Sequence, residues 1–157
     1  MPNRCKEIRK IIIESFSRSN YFNEKIFDCR YTPVQKEKDF PSISILTPRE
    51  KVEVISKGGK LFERETEILI CLFTRQYEGQ EDNRDDLMQN IESIINNIEH
   101  TDFEFEYNGF ETDVNTASTY PLIITTISYK CIYNTSEIED KQFVDLNKLS
   151  IEVTTNG

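Results

Sequence analysis

The chain of 157 residues is long enough for one domain whose core hides about two thirds of the unfolded surface, and no second independent domain is expected. With 37% hydrophobic residues, ten Phe, seven Tyr and many Ile, it lies outside the disordered class. A formal net charge of −9 argues against general nucleic-acid binding, which needs clustered Lys and Arg; no run reaches the roughly 20 apolar residues of a membrane span, and "MPNRCKEIRK" lacks an apolar signal core, so a cytoplasmic protein without a membrane partner is expected.

In chain order, residues 4–18 place Cys5, Ile8, Ile12 and Phe16 at helical spacing, which predicts an amphipathic helix ended by Ser19-Asn20. "KIFDCRY" (25–31) predicts a short strand and "TPVQKEKD" a polar connector. In "DFPSISILTP" (39–48), Pro41 and Pro48 bracket an alternation with Ile43 and Ile45 on one face and Ser42 and Ser44 on the other. Proline has no N–H for a ladder, so the strand is expected to begin at Pro41 and end at Pro48, with one buried face and one face that can be polar.

"REKVEVISKGGK" (49–60) predicts a strand and a turn in which Gly58-Gly59 takes the positive φ values of a tight hairpin. "LFERETEILICLFTR" (61–75) begins as an alternation and becomes continuously apolar at Ile68, as for a strand entering the middle of a sheet. Residues 82–100 predict a helix with Leu87, Ile91, Ile94, Ile95 and Ile98 as its stripe and Asp82 or Asn83 as its cap. The acidic cluster there is not a calcium loop, because the sixth position from Asp82 is not Gly and the twelfth is Ser93. "FEFEYNGFETDV" (103–114) predicts a hairpin turning at Asn108-Gly109. Residues 119–133 predict a last long strand with Ile123, Thr125, Ile127 and Tyr129 on one face. The order implies a single α+β domain over residues 1–134: a mainly antiparallel or mixed sheet of four or more strands, with both helices on one face. Residues 135–157 are expected to be a C-terminal extension, mobile or docked on a neighbour.

The four cysteines lie 24, 42 and 60 residues apart with no CxxC, and Cys71 and Cys131 fall in strand-like runs, so a packing role is expected. His100, the only histidine, is expected to end the second helix and satisfy its free carbonyls. There is no GxSxG, GxGxxG or GxxxxGK[ST], and no constellation implies a cofactor, a metal or a catalytic group. Charge is divided unevenly: residues 1–60 carry net +5 and residues 61–157 net −14. This suits either a solvated acidic surface or copies packing head to tail.

The acidic-aromatic-Pro entrance and alternation of "DFPSISILTP", the rising strand "ETEILICLFTR", the acidic helix start "EDNRDDLMQNIESIINNI" and the strand "PLIITTISYKCIY", in that order behind an N-terminal helix, resemble the tail-terminator family of long-tailed bacteriophages over residues 4–133. The resemblance implies a structural subunit, not an enzyme. Its copies would form a homo-oligomeric, hexameric ring on the tail tube protein in the host cytoplasm and then in the virion tail. The ring would stop tube growth and present a surface to a head-completion or connector protein, with DNA only as passing cargo. Interface candidates are the polar links between strong elements: Arg49, Lys51, Lys57, Gly58, Gly59 and Lys60, and in the 76–81 loop Gln76, Tyr77 and Glu78. Other readings are a head–tail connector or tail-completion protein, and a small enzyme using Glu63, Glu65, Glu104 and Glu106.

Overall fold

The computed structural model describes residues 4–19, 22, 25–34, 37–75, 81–116 and 120–136. Helix α1 (Arg4–Ser19) is followed by β1 (Ile26–Asp28), a 3-10 turn (Glu37–Asp39), β2 (Ser42–Ser56), β3 (Leu61–Arg75), α2 (Glu81–Asn96), β4 (Glu104–Asn115) and β5 (Leu122–Ser136). Among the described residues the sheet has the order β1-β2-β3-β5-β4, with the β1/β2 pair parallel and the other pairs antiparallel. This is the expected α+β class, with β3 in the centre because its apolar half can be buried on both faces. β3 and β4 run parallel, two positions apart and joined through α2, and β5 slots antiparallel between them.

Helical spacing explains the helix-covered core. Ile8, Ile12 and Phe16 of α1 and Ile91 and Ile95 of α2 meet Ile43 and Ile45, Ile68, Ile70 and Leu72, and Ile127, Tyr129, Cys131 and Tyr133 from three strands. α1 lies against α2, β1 and β2, and Arg9 fastens it by donating to Asp28 (2.7 Å) and to the Thr47 hydroxyl. The opposite face has a smaller core of its own: Val34, Leu46, Cys71 and Phe73, flanked by Phe27, Cys29, Phe40, Leu69 and Ile124. A parallel pair needs a crossover connection. Here the β1–β2 crossover supplies Cys29, Val34 and Phe40 to that second core.

Four local expectations are corrected. Where "DFPSISILTP" implies one buried face, both are buried: Ser42 and Ser44 on the polar face are inaccessible, and the Ser44 hydroxyl accepts from the Arg30 N–H (2.9 Å) and donates to the Arg30 carbonyl (2.8 Å). β2 does not end at Pro48; it runs on to Ser56, and the ladder absorbs the missing N–H in a bulge between Leu46 and Arg49. Asn108-Gly109 is likewise a bulge within a continuous β4, with Gly109 at φ 104°, because the residues beyond it go on pairing with β5 from Phe110 to Asn115. Finally α2 starts at Glu81 and ends at Asn96, so Asp82 and Asn83 lie inside its first turn and His100 lies beyond its end. The exposed His100 accepts the Asp102 N–H at Nδ1 (3.1 Å) and tilts against Phe103.

Candidate functional site

The interface candidates of residues 49–60 share one element. Beyond the bulge β2 leaves the core: Lys51–Ser56 are exposed and form, with β3 and the end of β5, an arm closed by the turn 57–60. Neither Gly58 nor Gly59 has positive φ; the left-handed residue is Lys60, at φ 50°. The turn is instead held by the Ser56 hydroxyl, which accepts the Gly59 N–H (3.2 Å). Gln76, Tyr77 and Glu78 lie outside the described residues. Arg75 is at the far end of β3 from Leu61, ~45 Å away at the usual strand rise, so the two candidate loops leave opposite ends of one strand.

The bulge also decides which way each arm residue points. Two residues, Thr47 and Pro48, are spent against one on β3, so Arg49, Lys51 and Glu53 lie opposite Glu67, Glu65 and Glu63 on the face away from the helices. Arg49 pairs with Glu67 (3.2 Å), and Lys130 of β5 pairs with Glu65 (3.2 Å). Glu50, Val52 and Val54 are thereby turned to the helix-side face, opposite Thr66, Arg64 and Phe62. The carboxylate of Glu50 collects donors at the margin of the core: Arg64 (3.2 Å), Thr66 (3.1 Å) and the Tyr133 hydroxyl, while Arg64 Nε also donates to Thr135 (2.8 Å). Burial, and then the Glu50 carboxylate, push the Tyr133 phenol well above its ordinary range. Outside this network Val52, Val54 and Ile55 are half exposed.

At the other edge of the sheet, β4 carries a second two-faced surface. Tyr107, Phe110 and Val114 lie on the helix-side face opposite Tyr129, Ile127 and Ile123, and each is about half exposed. Glu104, Glu106, Glu111 and Asp113 lie on the other face, opposite Ile132, Lys130, Thr126 and Ile124. The glutamates of "FEFEY" therefore stand on a sheet edge, as alternation suggested, whereas those of "ERETE" stand on the central strand. Both patches were half visible in the sequence as alternations. Less legible are the bulges at Thr47-Pro48 and at Asn108-Gly109, each of which carries its alternation past a change of phase.

Of the carboxylates considered for chemistry, Glu63 and Glu104 line an open, polar concavity of about 580 Å³ with His100, Asp102 and Asn134; Glu65 and Glu106 do not. Cys71 and Cys131 are buried free thiols, and burial pushes the Cys131 thiol up to about 12, with Cys5 a smaller contribution. Cys5 and Cys29 are half-buried. Among the described residues no group of three or more His, Cys, Asp and Glu is placed to hold a metal ion, and no helix is long and apolar enough to cross a membrane. No protein-family model matches the chain, and no curated protein matches it.

Proposed function

We propose that the chain is a structural subunit of the tail-terminator type: it self-associates into a ring on the end of a phage tail tube, stops tube growth and offers a surface for head joining. The observation that carries this reading is the arm, where Val52, Val54 and Ile55 stand half exposed beside Lys51 and Lys57 on a strand that has left the core. Exposed apolar groups gathered on one element, with charged groups beside them, mark a contact surface more than a substrate pocket. The order of elements that carries the family resemblance supports the same reading, since the helix, rising central strand, acidic helix and last long strand all form as that order implies.

The test is tube assembly in the presence of the purified chain. The chain should sediment as a ring at assembly concentrations and shorten the length distribution of tubes formed from their cognate tube protein. A chain that stays monomeric beside the tubes, and leaves their lengths unchanged, would sink the reading. Binding to a head portal without binding to tubes would replace it with a head–tail connector.

A further inference from the structure

The two sheet edges complement each other on both faces, and we infer that the arm of one copy pairs edge to edge with β4 of the next. This rests on the self-association proposed above and names its contact. β1 covers β2 only at Ile43–Ile45, so among the described elements the edge of Lys51–Ser56 that faces away from β3 has no strand beside it; β4 is likewise an outermost strand. From β2 to β4 the sheet reverses direction three times, so β4 runs antiparallel to β2. A second copy brought alongside by rotation about an axis that runs along the strands therefore presents an antiparallel partner, and the sheet continues with its faces unchanged.

With the faces continuous, the side chains match in kind. On the helix-side face Val52 and Val54 meet Tyr107, Phe110 and Val114. On the other face Arg49 and Lys51 meet Glu104, Glu106, Glu111 and Asp113, with Glu53 the one carboxylate in the arm's row; Lys57, exposed in the turn that closes the arm, adds a further positive charge to its tip. The same charges disfavour the competing contacts, because β4 against β4 sets four carboxylates against four and arm against arm sets Arg49 and Lys51 against their copies. A contact between two different patches is heterologous, and heterologous contacts close into rings when the rotation permits.

Charge exchange tests it. One variant carries Lys51→Glu and Lys57→Glu, the other Glu111→Lys and Asp113→Lys; Glu111 and Asp113 face uncharged neighbours across β4/β5, so the second pair creates no like-charge contact within the chain. Each variant alone, with an unchanged circular dichroism spectrum, should associate at least about tenfold more weakly than the parent chain in sedimentation. A one-to-one mixture of the two, and a single chain carrying all four changes, should recover association, and hydrogen exchange at β4 amides should slow on assembly. Folded variants that assemble like the parent, or a mixture that does not recover, would overturn the edge contact and leave the ring standing. A contact that behaves as expected with no effect on tube length would instead leave the edge contact standing and remove the capping role. A parent chain that never associates would overturn both.

Discussion

Glu50 is the residue on which the margin of the core turns. A carboxylate of this exposure survives there because Arg64, Thr66 and Tyr133 all donate to it. Glu50→Ala strips three donors at once and is expected to cost about 2–3 kcal/mol in urea denaturation. Two neighbouring tyrosines separate this effect from simple burial. Tyr133→Phe loses the bond to Glu50 and should cost about 1 kcal/mol, whereas the buried Tyr129 hydroxyl has no hydrogen-bond partner among the described residues, so Tyr129→Phe should be neutral or slightly stabilising. Cys131 adds a pH dependence of definite sign. Its folded thiol keeps its proton from its ordinary 9.0 up to about 12 while the unfolded chain releases one, so stability is full below about pH 9 and falls as pH rises through that window. The loss should reach roughly 2 kcal/mol by pH 11, and Cys131→Ala should remove that part of the slope.

At the scale of elements, the bulges at Thr47-Pro48 and Asn108-Gly109 are the features least legible in the chain. Asn108-Gly109 has the composition of a hairpin turn, and only the ladder that β5 offers on both sides of it makes it a bulge. Gly109 adopts φ 104°, which glycine takes freely; an added Cβ meets nothing within 4 Å, but a residue with a side chain is strained in that backbone conformation. Gly109→Ala should therefore cost about 1–3 kcal/mol in chemical denaturation, while Gly58→Ala, in open space and without positive φ, should change stability by less than ~1 kcal/mol. Pro48 teaches the same lesson. A proline forbids a regular mid-strand position, but an edge strand with a bulge accommodates it, and β2 is such an edge at that point because β1 reaches only Ile45. Long apolar periodicities are more legible: Ile8, Ile12, Phe16, Ile91 and Ile95 are buried and Leu87, Ile94 and Ile98 pack partly buried against them, since burial of a stripe is demanded whatever it packs against.

Across the whole molecule, the uneven division of charge becomes spatial. The basic residues of the arm, on the part of β2 that β1 does not cover, and the acidic row of β4 sit at opposite edges of the sheet, separated by β3 and β5. Apolar groups accompany each, so replacing Val52 and Val54 with Asp should leave the denaturation midpoint within about 1 kcal/mol of the parent, because both are half exposed, and should abolish association in sedimentation. Such a split between stability and assembly separates a contact surface from a misplaced piece of core.

The amino-acid sequence by itself determined the two helices, the long strands β3 and β5, the central place of the apolar half of β3 and the α+β class, because each follows from periodicity and local chemistry within a few turns of chain. The tertiary structure alone decided that the Ser face of β2 is buried, that β2 continues past Pro48 and β4 past Asn108-Gly109, and that Arg49 and Lys51 share a face opposite Val52 and Val54. Those outcomes depend on which strand lies alongside, and a bulge moves every later side chain to the other face of the sheet for the sake of a ladder formed with residues far along the chain.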